Sequence, residues 1–486
     1  MKIAIIGSGA AAFGALGYLT DEQCPAASID IISPLCVSEL DNDVLNDGAI
    51  RNFYRSCKRT LVPAKINVRA GVSDREEPYQ RKDTNLLLWG CSALPYPADD
   101  YETLTRFDSS DFASALKKIS EMMPISGARD DKLSAFLGAD HLNEMPVKSH
   151  RKLKGFMPFL NKSETDHKCL AGTPHIALTH NIAASAKPCD CFINNCSQHT
   201  LFLMYQFQHV SNAWGKKIRR IDGCVTDIDW ERSSIVIEET NTETVQRKTY
   251  DMIFVCAGAF GTAELLLESK YADQIVVHDT ASYVVPFLSF GAWKVKKEEN
   301  FFSLTNLVAF IETRKVTKPE RSFIQFYPTS RYFLRRWFPL TVWWVADLIT
   351  NLLSRYLFIA VIYLDDNSCA TVTVTKRPHA AGERVSAKTP KRSGAAVCAV
   401  VKVLKRMLGY RFFPLALRRA NTSHHFGKLE ADGKLLADGD DFFSSKNIYF
   451  CGSSVFRHLP ASSPTLSICA HGYLVAKAAF EGHVSR

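Results

Sequence analysis

The chain has no internal repeat and no long low-complexity tract, which argues against a solenoid or repeat array. It also lacks the run of about 20 apolar residues that a membrane-spanning helix needs. The best candidate, residues 337–353, is only about 17 long and is broken by Asp347 and Asn351. A secretory leader is not expected, on similar grounds. Lys2 does precede an apolar segment with an Ala-Ala-Ala site, but Gly7, Gly9 and Gly14 interrupt what should be a continuous apolar core. No nucleic-acid-binding motif accompanies the basic residues, so no nucleic acid is expected as a partner.

What remains is the composition of a large water-exposed enzyme. At 486 residues, two or three domains are expected, and 46% hydrophobic residues can fill a sizeable core. Fourteen cysteines without a leader imply free thiols in a reducing compartment, and so a cytoplasmic setting. Cys189, Cys191 and Cys196, with His199 and the more distant Cys169, form the one group that could hold a metal. Their C-x-C-x4-C spacing matches neither a zinc finger nor a ferredoxin run, so they read as reduced cysteines and no metal is expected.

The N-terminus carries the clearest local signal. Ile3 to Ile6 form an apolar β-type run that leads into Gly7-x-Gly9-x-x-Ala12 and then a small-residue helical stretch containing Gly14. Gly7 allows a tight turn, Gly9 lets backbone approach a pyrophosphate, and Ala12 permits close packing of helix on strand. A second strand at residues 29–32 should end in an acid that grips ribose hydroxyls about 20 residues beyond the glycines. Ser33 stands there instead; it can hydrogen-bond a hydroxyl but carries no charge. Residues 250–269 repeat the strand, turn and helix pattern around Ala257 and Gly258. Just before them, residues 225–239 alternate apolar and polar positions about a polar turn, as a hairpin does.

At the other end, His424-His425-Phe426-Gly427 is followed by NIYFCGSSVFRHLPASSPTLSICAHGYLVA, residues 447–476. This order resembles the C-terminal signature of the glucose-methanol-choline family of flavin oxidoreductases. The opening turn and the 250–269 segment resemble two other islands of that family, and LLLWGCSALPY (residues 86–96) resembles a segment of a bacterial branch. The resemblance implies an α/β fold: a Rossmann-like FAD-binding domain with an inserted α+β substrate domain containing an antiparallel sheet. Residues 1–100, 200–285 and 421–486 are expected to form the first, and 101–199 and 286–420 the second.

The family's chemistry implies FAD and the oxidation of an alcohol group on a small molecule, with sugar- and lipid-linked molecules as candidate substrates, by hydride transfer to flavin N5. A base must remove the hydroxyl proton as the carbonyl forms, and an imidazole of near-neutral pKa suits that task. In the resemblance His425 aligns with the family's catalytic histidine, and His424 is its neighbouring alternative. The family's second catalytic position, Asn or His, falls on Ser463, which can hydrogen-bond substrate but cannot act as an unactivated base. His458 and His471 flank it as substitutes. Gly452, Ser453, Pro464, Thr465 and Leu466 are implied flavin neighbours, with the last three opening a helix whose positive end could stabilise anionic reduced flavin. Trp89 and Gly90 are implied isoalloxazine-side contacts. The glycine pair that normally precedes them is replaced by Asp83, Thr84 and Asn85, which weakens the expected hold on the flavin phosphate. The electron acceptor is not specified by these residues.

Charge is concentrated. Residues 331–420 hold 16 Lys and Arg against 4 Asp and Glu, a balance of +12, while the whole chain carries +9. Trp337, Phe338, Trp343 and Trp344 lie in the same region, so an anionic membrane surface is an expected alternative partner, against the simpler reading of a substrate-domain helix with a solvated basic face. Two other functions stay open: a degenerate flavin-binding assembly module at a membrane surface, and a flavin-dependent reductase or isomerase. For the cysteine group the expectation is direct. Elemental analysis of purified protein should find less than about a tenth of an equivalent of zinc or iron, and a stoichiometric amount would restore the metal reading.

Overall fold

Four short apolar runs and one longer alternating strand build the first sheet. In a computed structural model of the chain these are β1 (Lys2–Ile6), β2 (Ser28–Ser33), β3 (Ile218–Asp229), β4 (Met252–Val255) and β5 (Ile448–Phe450). The structure describes residues 1–20, 28–33, 62–63, 80–81, 92–143, 146, 151–162, 167–177, 218–239, 244–290, 305–313, 320–328, 345, 356–375, 385–388, 391–419, 427–438 and 447–484. Trp89, Gly90, His424, His425, the group Cys189, Cys191 and Cys196, and the aromatic tract Trp337, Phe338, Trp343 and Trp344 lie outside them.

The five strands pair in parallel in the spatial order β5-β4-β1-β2-β3. Numbered along the chain this is the 3-2-1-4-5 arrangement of a Rossmann sheet, whose direction of winding reverses between β1 and β4. β3 continues into an antiparallel meander with strands Ser234–Glu239 and Val245–Thr249, the hairpin expected from the alternating pattern. Buried Asp30 on β2 ties three of these elements together. It accepts two hydrogen bonds from Arg219 on β3, at 3.0 and 2.7 Å, and one from the Tyr250 hydroxyl beside β4, at 2.8 Å.

Helices cover this sheet: α1 (Ala10–Leu19), α2 (Ser109–Met122), α3 (Gly258–Glu268) and α4 (Thr465–Val484). α1 has no polar face, and seven of its ten residues are buried because it is enclosed by the sheet and by α4. α2 is amphipathic, starts at an Asp108 capping box, and sends Phe112, Ala115 and Ile119 into the same core.

A second sheet is antiparallel, in the order Phe413–Pro414, Ser282–Leu288, Leu357–Leu364, Glu320–Pro328, Leu307–Thr313, His167–Gly172. Its strand LFIAVIYL (Leu357–Leu364) is buried at every position. Phe358, Ala360 and Ile362 face helix Lys391–Leu408 across one core, while Ile359, Val361 and Tyr363 face Leu94, Leu133 and Ala461 across another. Two covered faces explain a continuous apolar run where a half-exposed strand would alternate. Residues 370–375, strand-like in the sequence, do form a strand, but in a separate five-stranded sheet beside Gln274–Asp279. No helix among the described residues is long and apolar enough to cross a membrane.

α1 and α4 touch backbone to backbone. A Cβ on Gly14 would lie 1.8 Å from the Cys469 carbonyl oxygen, and one on Gly472 would lie 2.1 Å from that of Ala11. Gly14→Ala and Gly472→Ala should therefore each lower unfolding free energy by about 1–3 kcal/mol in urea titrations. Gly482→Ala on the same helix, where nothing among the described residues lies within 4 Å of the new Cβ, should be neutral or stabilising by up to about 1 kcal/mol.

Candidate active site

The site is built where β1 and β4 end. Gly7 leaves β1 at φ +105°, its N–H bonded to the Ile32 carbonyl at 2.8 Å, and a Cβ there would come 2.5 Å from the Cys256 carbonyl oxygen. Only glycine accommodates both the left-handed turn and that approach. Gly9 then caps α1 with extended backbone and no side-chain cap, so the first N–H groups of the helix meet no capping side chain. Among the described residues, leaving aside chain neighbours and the helix's own backbone, no atom lies within 4 Å of a Cβ built on Gly9 or on Gly258, which opens α3. Two helix openings thus flank space at the reversal point, where a dinucleotide binds in folds of this order. Ala12 is fully buried on α1, and Ala257 Cα sits 3.3 Å from the Gly7 Cβ position.

Ser33, at the position where an acid was expected, is buried at the end of β2. Its Oγ lies 2.9 Å from Ser8 Oγ in the glycine turn, so two paired hydroxyls stand where a carboxylate was expected.

The C-terminal segment closes on this turn. Gly452, at φ +91°, would place a Cβ 3.1 Å from that of Ala11 on α1. Its N–H donates to His471 Nδ1 at 3.0 Å. The ring of His471 is fully buried against Phe107, Phe112 and Phe456. Burial, helped by nearby Arg106, pushes its pKa down to about 3, so it is neutral and serves the scaffold that aims Gly452. His458 sits with Nδ1 3.3 Å from the Thr103 carbonyl, its pKa lowered chiefly by burial. Ser453 is buried in a short 3-10 turn, Pro464 accepts from the Ile468 N–H, Thr465 opens α4, and the side chain of Leu466 is fully buried in the first core.

Ser463 donates from Oγ to the Ser92 carbonyl at 3.1 Å. Ser92 also joins a polar network on the second sheet. Its Oγ accepts from Gln325 Nε2 at 3.1 Å, and Gln325 Oε1 accepts from the Tyr327 and Tyr363 hydroxyls. Burial raises the Tyr327 pKa to about 12, so that phenol is a donor. Ser454 and Ser462, beside the expected Ser453 and Ser463, have buried hydroxyls with no hydrogen-bond partner among the described residues. Sequence reasoning missed Ser462, Gln325, Tyr327 and Tyr363. The only signal was polar residues at buried positions, visible once the strands are paired.

The residues just after the paired histidines are described and held firmly. Gly427 pairs with Asp279, where a Cβ would come 2.3 Å from the His278 carbonyl oxygen. Buried Lys428 reaches Asp366 at 2.6 Å and the Arg457 carbonyl at 3.1 Å, so the strand that follows His424 and His425 is moored to the loop beyond Ser454. No cluster of three or more metal-ligating side chains occurs among the described residues.

No protein-family model matches the chain, and no curated protein sequence matches it either. Solved structures do. Formate oxidase covers 99% of this chain and 98% of its own length at TM-score 0.59 and 10% identity. A fungal aryl-alcohol oxidase covers 99% of each chain at TM-score 0.50 and 9% identity. At such identity the likeness is one of fold alone, and it runs along almost the whole length of the chain.

The buried histidine gives a pH prediction. Its folded pKa of about 3 lies below the unfolded value near 6.5, so the unfolded chain binds the extra proton between them. The resulting stability is fully present above about pH 6.5 and is lost as pH falls toward 3. His471→Asn, which keeps an acceptor for Gly452 but cannot titrate, should show a shallower fall in urea midpoint between pH 7 and pH 5 than the parent, those pH values bracketing roughly the unfolded pKa. An equal slope would contradict a buried neutral imidazole.

Proposed function

We propose that the chain is an FAD-dependent oxidoreductase that oxidises an alcohol group of a small molecule. The observation that carries this reading is the pair of unfilled backbone cradles, at Gly9 and Gly258, on either side of the strand reversal. The partnerless hydroxyls of Ser454 and Ser462 fit the same reading, because buried polar groups without a protein partner are rare unless a ligand or water serves them. Sharing a fold with formate oxidase and aryl-alcohol oxidase supports an oxidoreductase, and the second name supports a carbinol donor.

Bound FAD would supply a two-electron hydride acceptor. The chain's own residues do the rest. The first amides of α1, after Gly9, would hold pyrophosphate charge at the positive end of the helix. Ser33 and Ser8 would meet ribose hydroxyls, and Ser454 and Ser462 would donate to polar atoms above Gly452. An imidazole nitrogen of His425 would take the substrate's hydroxyl proton, with His424 as its neighbour. Ser463, whose proton is already given to Ser92, would accept a hydrogen bond from the substrate rather than donate one. The parallel sheet, from residues 1–100, 200–285 and 421–486, would form the cofactor side. The antiparallel sheet, from 101–199 and 286–420, would form the substrate side, except that α2 packs into the first core and strand Ser282–Leu288 of that sheet begins in the first range.

An absorbance spectrum of protein reconstituted with FAD tests the reading. Flavin bands that bleach anaerobically with a panel of alcohols are expected. His425→Ala should keep the bands and lose roughly 10² to 10⁴ in the rate of flavin reduction, the usual worth of general-base assistance. An unchanged rate would remove His425 from the role. Absence of bands would favour an assembly module, and bleaching only by a nicotinamide donor would favour a reductase.

A further inference from the structure

Eight large apolar side chains are exposed among the described residues, and six of them, Phe290, Tyr356, Tyr410, Phe413, Leu415 and Leu417, gather at one corner of the antiparallel sheet. Scattered exposed apolar residues need no explanation, but a gathered patch does. The backbone brings five of these together, and Leu417 follows two residues after Leu415. The Ser289 N–H donates to the Tyr356 carbonyl at 2.8 Å, Phe290 N–H to that of Tyr410 at 3.2 Å, and Leu415 N–H to that of Pro286 at 2.8 Å. The Phe290 and Phe413 rings lie 6.3 Å apart. Tyr410 and Phe413 are 59% and 51% exposed, more than a core-facing aromatic would be.

Exposed cations of the adjoining helix flank the patch, and two less exposed ones, buried Lys152 and half-buried Arg411, lie against its rings. The Arg411 guanidinium lies 4.4 Å over the Tyr410 ring, and Lys152 Nζ lies 4.7 Å over that of Tyr356. Helix Lys391–Leu408, which ends at the patch, exposes Lys402, Lys405 and Arg406. Residues 391–419 hold eight Lys and Arg and no Asp or Glu. The one-sided charge of the sequence is therefore joined, in space, to aromatic and aliphatic side chains that face outward. Apolar side chains rimmed by cations match the acyl boundary and headgroups of an anionic bilayer, each cation adding attraction close to the surface.

We propose that this corner is a peripheral docking surface for an anionic phospholipid membrane. It is independent of the flavin reading, since none of its residues lies in the crevice between β1 and β4. The test is flotation of the full chain with vesicles of phosphatidylcholine alone or mixed equally with phosphatidylserine. Binding to the mixed vesicles alone is expected, with release near 1 M salt, where the screening length falls to about 3 Å. Phe413→Asp combined with Leu415→Asp should reduce the bound fraction by at least about tenfold without changing the thermal unfolding midpoint. Val245→Asp, an exposed apolar site on the distant hairpin, should bind like the parent. The proposal is overturned if the parent fails to float with anionic vesicles at low salt, binds neutral ones equally, or is unaffected by the double substitution. It is equally overturned if the double substitution abolishes a dimer seen by light scattering while no vesicle binding occurs.

Discussion

The crossing of α1 and α4 is the contact on which the rest of the structure depends. Gly14 meets the Cys469 carbonyl and Gly472 meets that of Ala11, with no side chain between the two backbones. Residues more than 450 positions apart are thereby brought into van der Waals contact, and the loop that leads into α4 is laid over the first glycine turn. The loop-closure entropy of so long a connection grows only slowly with length, so what the contact needs is close packing rather than proximity in sequence. Gly452 against Ala11, and His471 beneath Gly452, extend the same seam to the mouth of the crevice.

A second constraint comes from residues 92–96, which run between the two sheets. The Tyr96 N–H donates to the Tyr101 hydroxyl at 2.9 Å, and that hydroxyl lies 2.7 Å from Ser467 Oγ on α4. Four residues earlier Ser92 meets Gln325 and Ser463, and the Ala93 N–H donates to the His175 carbonyl at 2.8 Å. His175 is itself fixed. Ser134 gives its proton to the Ala128 carbonyl, so it accepts from His175 Nε2 at 3.1 Å, and His175 Nδ1 then accepts from His141 Nε2 at 2.9 Å. Burial lowers the pKa of both rings, that of His141 to about 4, so the pair is held neutral and directional. Satisfied polar chains of this kind, in a dry interior, specify one arrangement of the two sheets where apolar packing alone would allow several.

Local patterns were legible in the sequence where one short segment contains its own explanation. The β1 turn with Gly7 and Gly9, the 225–239 hairpin, the strand and helix about Gly258, and the final helix all fall where periodicity and glycine placement put them. Choice of partner was not legible. Residues 358–364 and 370–375 look alike as β-rich runs, yet they enter different sheets, because pairing depends on distant strands. Ser33 could be seen to lack a charge, but not to face Ser8. Gln325 reads as an ordinary polar residue in a strand until Ser92, 233 positions away, supplies its partner. The histidines of the 424–427 turn and Trp89 were read from resemblance alone and fall outside the described residues, although the strand beginning at Gly427 is anchored next to the C-terminal loop.

A crystal structure of the chain reconstituted with FAD measures the central claim most directly, namely that the two chain ends form one cofactor crevice across the α1–α4 seam. The account predicts pyrophosphate density against the first amides of α1 beside Gly9, and ring density bounded by Gly452, Ser454 and Ser462. Flavin density in any other part of the molecule would contradict it.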